Sequence, residues 1–134
     1  MDVGEAMIVA GIGCRKGISA ADVHAAIDAA LLQALLASRQ LSLIAAPAVK
    51  GTEAGIRDAA AARGLQLMLI PQSALEAASP RTLTRSARSV AAMSVHSVAE
   101  AAALAAAGPN AHLLATRVAV GPVTCALAEE EIFR

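Results

Sequence analysis

Three short apolar runs, each followed by a chain-breaking residue, constrain the possible fold more than any other feature of this sequence. The runs cover residues 7–10, 41–46 and 65–70, and the residues that stop them are Gly11, Pro47 and Pro71. Runs of this length are typical of buried strands, and the stretches between them have apolar residues at helical spacing. Strands that alternate with helices across short connections favour a parallel sheet covered by helices.

Two helices are predicted between these strands. In the first, branched apolar side chains recur every four residues from Val23 to Leu35, which places them on one face of a helix. Serine and threonine are good N-caps, and glycine is a common terminator. The predicted bounds are Ser19 to Ser38–Arg39 for the first helix and Thr52 to Gly64 for the second.

The second half of the chain is predicted to complete the same domain. Capping boxes at Ser73–Glu76 and Ser97–Glu100 start two further helices, which a polar, irregular segment at 79–93 separates. Two strands at 112–116 and 123–128 are divided by Gly121-Pro122 and are able to pair as a hairpin, and the tail 129–134 is expected to be frayed. The sequence therefore predicts one three-layer α/β/α domain over 7–128, with a mainly parallel, partly mixed five-stranded sheet.

The composition disfavours several classes of function. The charges of the eleven basic and eleven acidic residues cancel, so no net electrostatic attraction to nucleic acid is expected. The single aromatic residue is Phe133, so the chain has no set of aromatic side chains on which bases could stack. Charges interrupt the alanine-rich runs and the first residues are acidic, so no membrane span and no signal peptide are predicted. Cys14 and Cys125 are far apart and form no CxxC motif, which favours reduced thiols in the cytoplasm.

The segment that points most clearly to a ligand follows the first predicted strand. It combines three glycines with two cations just before a helix: Gly11, Gly13, Gly17, Arg15 and Lys16. Glycines let a backbone approach a ligand closely, and amides at a helix N-terminus attract anions. The spacing matches neither the dinucleotide fingerprint nor the P-loop. The segment therefore predicts a site for a negatively charged small molecule.

Further cations are expected beside this segment. Lys50 follows the second predicted strand, and the carboxyl ends of parallel strands meet at one edge of a sheet. Three arginines lie in the polar segment 79–93, which contains no acidic residue: Arg81, Arg85 and Arg88. Guanidinium groups match the geometry of carboxylates, so these side chains are candidates for ligand binding. The alternative for each of them is a solvated surface side chain.

Three residues are candidates for catalysis. Cys14 lies between glycines and cations ahead of a helix, a setting expected to lower the pKa of its thiol; the alternative is a packing cysteine. His96 has either a titrating or a structural role, and Glu100 either takes part in chemistry or reaches back to the Ser97 amide in the capping box. The cysteine, histidine and acidic residues do not have the spacing of a metal site, so neither a metal nor a cofactor is predicted.

Three segments of the chain resemble a known family. They are Gly11-Ile12-Gly13-Cys14-Arg15-Lys16-Gly17, Lys50-x-x-Glu53-x-Gly55-Ile56 and Ser97-Val98-Ala99-Glu100-Ala101-Ala102-Ala103. In this order and at these intervals they resemble the CobE / CbiG C-terminal domain family of cobalamin (vitamin B12) biosynthesis. The similarity extends over about Met7 to Ala128. Arg117 stands where the family often has lysine, a difference that keeps the charge but excludes a Schiff base at this position.

The resemblance implies an α/β/α domain that acts in the construction of the corrin ring. Larger members open a ring lactone of cobalt-precorrin-5A, whereas the absence of an N-terminal extension here predicts the stand-alone form of the aerobic route. The motif positions that carry over as site candidates are Gly11, Gly13, Cys14, Arg15, Gly17, Lys50, Glu53, Ser97 and Glu100.

Residues and resemblance together predict the binding of an anionic precorrin or corrinoid intermediate. The chain would act as a carrier or as an accessory to other enzymes of the corrin pathway. The alternative is a hydrolase that opens a precorrin ring lactone, with Cys14, His96 or Glu100 taking part. A nucleotide-binding regulatory domain is a further alternative. The alanine-rich helices allow a homodimer but do not require one.

Overall fold

The computed structural model describes residues 5–93 and 95–132, and it confirms the predicted α/β class. A mixed sheet of six strands, five of them in one continuous order, is covered by helices on both faces. The strands are β1 (Glu5–Cys14), β2 (Leu43–Pro47), β3 (Gln66–Ile70), β4 (His112–Leu113), β5 (Val118–Val120) and β6 (Val123–Ile132). The helices are α1 (Ala20–Gln33), α2 (Ala54–Ala62), α3 (Gln72–Ala78), α4 (Ala87–Met93) and α5 (Val98–Ala107).

The strand order is β3-β2-β1-β6-β4, and β5 pairs with β6. The first three strands are parallel to one another, as predicted. The strand β6 is antiparallel to β1 along the whole length of both, from Glu5 opposite Ile132 to Cys14 opposite Val123. As a result, the beginning of β6 lies at the same sheet edge as the ends of β1 and β2.

Two separate hydrophobic cores hold the layers together. The helices α1 and α2 cover one face of the sheet, where Ile12, Ile27 and Ile44 are among the fully buried residues. The helices α3 and α5 cover the other face, around Leu75 and Leu104. Strands buried on both faces read as continuous apolar runs rather than as alternating patterns, which is why the runs in β1 and β2 were recognisable in the sequence.

The helix α5 lies unusually close to the sheet, and alanine and glycine make this approach possible. Its described side chains are mostly alanine, and those from Ala99 to Ala103 are fully buried. A Cβ atom built on Gly11 of β1 would lie only 2.1 Å from the Ala99 carbonyl oxygen and 2.6 Å from the Ala103 nitrogen. Gly11 is therefore required for helix packing.

The first helix is shorter than predicted. It ends at Gln33, and Leu35 takes a left-handed conformation with φ of 58° and a side chain that is 89% exposed. The Leu36 amide donates to the Leu31 carbonyl (2.9 Å), and the Leu35 amide donates to the Leu32 carbonyl (3.1 Å), as in a Schellman motif. The apolar period continued past the end of the helix because leucine occupies a position that usually carries glycine.

Two other predicted segments have more regular structure than expected. The irregular segment at 79–93 contains a 3-10 turn at Ser79–Arg81 and the helix α4. The prediction of a frayed tail is wrong for residues 129–132, because β1 begins at Glu5 and supplies hydrogen-bond partners as far as Ile132. Residues 133–134 lie outside the described part of the chain. No helix among the described residues is long and apolar enough to cross a membrane.

Candidate ligand-binding cleft

A cleft of about 400 Å³ opens at the sheet edge where β1 and β2 end and β6 begins. This is the edge at which open α/β sheets usually bind ligands, and the volume is within the range of small-molecule sites. Its lining comes from the strand ends, from the segments on either side of α4, from the start of α5 and from the β5–β6 hairpin. The lining residues are Gly13, Cys14, Arg15, Pro47, Lys50, Ser86, Met93, Val98, Arg117, Ala119, Gly121, Pro122 and Thr124.

Three cations line the cleft, and its described lining contains no carboxylate. Lys50 lies just after β2, Arg15 just after β1, and Arg117 just before β5. Since β6 lies between β1 and β5, the strand before Lys50 and the strand after Arg117 are three strand spacings, about 14 Å, apart. Val118 is level with Ile12 of β1 through Cys125 of β6, so Arg117 lines the cleft from below the strand ends that Lys50 and Arg15 follow. A row of cations across the cleft favours an extended ligand with several negative groups.

Apolar side chains form much of the remaining lining. Pro47, Met93 and Val98 belong to β2, to the end of α4 and to the start of α5, and Ala119 and Pro122 belong to the β5–β6 hairpin. Binding sites for small molecules are mostly apolar, with a few charged or polar groups that fix orientation. The cleft therefore suits a ligand with an apolar body and an anionic rim.

The glycine segment contributes to the cleft mainly through Arg15 rather than through its amides. The Arg15 amide donates to the Pro122 carbonyl (3.2 Å), and the Gly17 amide donates to Glu53 Oε1 (3.0 Å). Gly17 has a φ of 75°, which explains a glycine at that turn. Gly13 lines the cleft, whereas Gly11 packs against α5. These two amides already have acceptors within the protein, so they do not bind an anion as the sequence predicted.

Cys14 lines the cleft as predicted, but its expected activation does not occur. Burial raises the pKa of the Cys14 thiol, and the nearby positive charge of Lys50 only partly opposes this effect. The negative charge of Glu53 raises the pKa further. The expectation from the sequence was wrong because it counted the cations and the helix start but not the desolvation of the partly buried thiol. At neutral pH the group is therefore a thiol rather than a thiolate.

Glu100 is completely buried and accepts four hydrogen bonds from two loops. Its Oε1 atom accepts from the amides of Leu83 and Thr84, both at 2.8 Å. Its Oε2 atom accepts from the Thr84 hydroxyl at 2.7 Å and from the Arg117 amide at 2.8 Å. Burial alone would raise the pKa of this carboxyl, but the hydrogen bonds hold its pKa below the ordinary value. The group is therefore a buried carboxylate.

The capping box predicted at Ser97–Glu100 is only half formed. The Ser97 hydroxyl accepts a hydrogen bond from the Glu100 amide at 3.4 Å and caps α5, but the Glu100 side chain turns away to the two loops. Ser97 is itself completely buried. Because a carboxylate of the protein already lies in the first turn of α5, the positive end of that helix dipole is compensated internally.

Two of the three predicted clamp arginines, Arg81 and Arg85, are not in the described lining of the cleft. Arg81 donates to the Ala111 carbonyl at 2.5 Å and to the Gly108 carbonyl at 3.4 Å, beyond the end of α5. Arg85 donates to the carbonyl and the hydroxyl of Thr82. The side chain of Arg88 lies outside the described part of the chain. The first two arginines thus donate to groups within the protein, and a sequence does not distinguish such contacts from ligand contacts.

The other predicted site residues lie beside the cleft rather than in its lining. Lys16 is exposed, and Glu53 is the N-cap of α2, from which its side chain accepts the Gly17 amide. The His96 amide donates to Ser79 Oγ at 3.1 Å, and the residue is not among those that line the cleft. Catalytic roles for Cys14, His96 and Glu100 stay predictions.

Several lining residues were missed because they come from the second half of the chain. Ser86 precedes α4, Met93 is its last residue, and Thr124 lies in β6, opposite Gly13 of β1. A hairpin of the closing strands does not by itself indicate that β6 pairs with β1. The usable signal for Arg117 is a cation just before a closing strand.

The sheet order, the two helix layers and the cationic cleft define a three-layer α/β/α domain organised around one sheet edge. Residues 8–128 match the family described as Cobalamin synthesis G C-terminus, CbiG_C. The chain belongs to this family, as the three sequence segments had indicated, and it is a cobalamin biosynthesis protein.

Individual relatives agree with this assignment. Protein CobE of Sinorhizobium sp is 32% identical over 121 residues, which are 90% of this chain and 79% of the relative. A crystal structure of CobE, a protein from the cobalamin (vitamin B12) biosynthetic pathway, superimposes with a TM-score of 0.91 at 31% identity and covers 100% of this chain and 98% of its own. Cobalamin biosynthesis protein chiG from Agrobacterium tumefaciens str. C58 has a TM-score of 0.72 at 40% identity, with 91% and 97% covered.

Proposed function

We propose that this protein binds an anionic precorrin or corrinoid intermediate in the cleft and serves the pathway as a carrier or accessory protein. The observation that carries the proposal is the row formed by Lys50, Arg15 and Arg117, in a cleft whose described lining has no carboxylate. Corrin precursors carry acetate and propionate groups around an apolar macrocycle. Cations spaced across the cleft are suited to such a rim, and the apolar lining is suited to the ring.

The size of the cleft supports partial rather than complete enclosure of the ligand. A volume of about 400 Å³ suits one edge of a tetrapyrrole, with the rest of the ring over the rim of the cleft. A carrier must release its ligand to the next enzyme, and an exposed ring edge would leave that enzyme something to bind. This arrangement is the reason to propose a carrier or accessory role.

The candidate catalytic residues favour binding over hydrolysis. Cys14 lines the cleft, but its pKa is raised by burial. The four hydrogen bonds of the Glu100 carboxylate go to loop groups, and His96 is not in the cleft lining. An activated nucleophile needs a base within hydrogen-bond reach or a lowered pKa. We therefore expect binding without turnover.

The test is an absorbance titration with hydrogenobyrinic acid at low ionic strength. The wild-type chain should give a saturable spectral shift, and Arg15→Ala/Lys50→Ala should bind at least roughly a hundredfold more weakly, since each lost charge-assisted contact contributes about 1.5–3 kcal/mol. Arg39→Ala/Arg57→Ala is the matched control, because it removes two exposed cations that do not line the cleft. Added salt should weaken wild-type binding through charge screening.

Two results would count against the proposal. Equal affinities of the cleft double variant and its control would show that the cation row does not hold the ligand. Formation of a ring-opened product from a lactone-containing precursor would favour the hydrolase in place of the carrier. Chromatography of the titration mixture after incubation distinguishes binding from turnover.

A further inference from the structure

Glu100 lies behind one end of the cleft and holds two separate loops in place. The loop before α4 is attached through the amides of Leu83 and Thr84 and through the Thr84 hydroxyl, all at 2.7–2.8 Å from the carboxylate. The loop between β4 and β5 is attached through the Arg117 amide at 2.8 Å. Both loops contribute cleft residues, because Ser86 follows Thr84 closely and Arg117 itself lines the cleft.

Both oxygens of this carboxylate are needed to hold the two loops. The Oε1 atom accepts from two amides of the first loop, whereas the Oε2 atom accepts from one donor of each loop. A glutamine has one acceptor oxygen, which can still accept from the Leu83 and Thr84 amides, and an NH₂ group, which can donate to the Thr84 hydroxyl but cannot accept from the Arg117 amide. Glutamine therefore keeps the Leu83–Thr84 attachment and loses the Arg117 attachment.

We propose that Glu100 is a positioning residue for ligand binding, which fixes Arg117 at the far end of the cation row. This inference rests on the proposed function, because it concerns the same cleft and the same polycarboxylate ligand. Glu100 has no exposed surface and does not contact the ligand. It acts through the backbone of Arg117, so the loss of the carboxylate should have the same effect on affinity as the loss of the Arg117 side chain.

The experiment is a double-mutant cycle with uroporphyrin, a polycarboxylate tetrapyrrole, as the probe. Arg117→Ala and Glu100→Gln should each raise the Kd by roughly tenfold, which corresponds to the loss of one charge-assisted contact. The double variant should bind no more weakly than either single variant, because effects that pass through one residue are not additive. Ala102→Gly, inside the same buried helix, controls for a loss of stability without a change in the loops and should leave the Kd unchanged.

A second readout does not depend on any ligand. Amide hydrogen exchange at Arg117 should become faster in Glu100→Gln but stay unchanged in Ala102→Gly. Thr84→Val removes only the hydroxyl donor and leaves the Arg117 amide bonded to the carboxylate, so it should leave the Kd unchanged. A Kd raised as far as in Arg117→Ala would show that the effect passes through the other loop and would overturn the positioning role, even if Glu100→Gln does not fold.

Each outcome has a definite meaning. If the wild type binds uroporphyrin and the effects of Glu100→Gln and Arg117→Ala are additive, or Glu100→Gln binds normally, the positioning role is overturned while the proposed function stands. If the wild type binds neither uroporphyrin nor hydrogenobyrinic acid, the proposed function is overturned. In that case faster exchange in Glu100→Gln would still establish that the carboxylate holds the loops.

Discussion

The close contact between β1 and α5 makes Gly11→Ala the most informative single substitution. The added Cβ would lie 2.1 Å from the Ala99 carbonyl oxygen, 2.6 Å from the Ala103 nitrogen and 2.8 Å from the Ala103 Cβ. None of these atoms belongs to a flexible side chain, so the helix itself must move by about 1 Å to restore ordinary contacts. Overpacking of a rigid core typically costs 1–3 kcal/mol, and we expect about 3 kcal/mol here.

The measurement is urea unfolding followed by far-ultraviolet circular dichroism, because the chain has no tryptophan or tyrosine for fluorescence. With a urea dependence of about 2 kcal/mol per molar, the midpoint should fall by about 1.5 M. Gly13→Ala is the matched control in the same strand. Its Cβ would meet the Thr124 hydroxyl at 2.7 Å, a side-chain atom that can rotate away, so we expect about 1 kcal/mol.

A midpoint that falls by less than about 0.5 M in Gly11→Ala would refute this reasoning, as would a larger effect of Gly13→Ala. Either result would mean that α5 tolerates displacement from the sheet. Gly11 would then be free for the ligand-binding role that the sequence suggested for it.

Three further predictions concern titration, thiol reactivity and helix termination. The pKa of Glu100 in the folded protein is below its ordinary value of 4.5. Ionisation of Glu100 therefore adds stability above pH 4.5, and this stability is lost as the pH falls through the folded pKa. Urea midpoints between about pH 3 and 6 should depend less on pH in Glu100→Gln than in the wild type. A disulfide reagent at neutral pH should modify Cys14 slowly, because the pKa of its thiol is raised. Burial raises the pKa of Cys125 to about 12, so Cys125 should react only after unfolding. Fast modification of Cys125 in the folded protein would contradict its burial. Leu35→Gly should raise the free energy of unfolding by about 0.5–1 kcal/mol, and with it the thermal midpoint, because a left-handed backbone is unfavourable for leucine and little side-chain burial is lost. A lower midpoint would contradict this.

The strands of the parallel half were predictable because each contains an apolar run, although β1 continues past Gly11 to Cys14 instead of stopping there as predicted. The end of the first helix was not predictable from its apolar period, since Leu35, although exposed, continues that period past Gln33. Gly64, which ends α2 with a φ of 68° and the same pair of terminal hydrogen bonds, was recognised because glycine is the usual residue there.

The site was predictable where it depends on sequence order and not where it depends on strand pairing. Arg15 and Lys50 follow consecutive parallel strands, and the topology alone brings them to one edge. Arg117 lines the same cleft only because β6 pairs antiparallel with β1 and β5 pairs with β6, a long-range arrangement that no local pattern encodes. Likewise, the capping-box pattern predicts a local role for Glu100 as one of two alternatives, whereas its four hydrogen-bond donors come from loops more than a dozen residues away in either direction.

The pairing of β1 with β6 also determines where this domain connects to anything attached to it. Glu5 and Ile132 are neighbours in the sheet, at the end of β1 opposite to the one that opens into the cleft. The first and last described strand residues therefore share one pole of the domain, and the cleft lies at the other. A segment that continues from either of them starts at the pole away from the cleft.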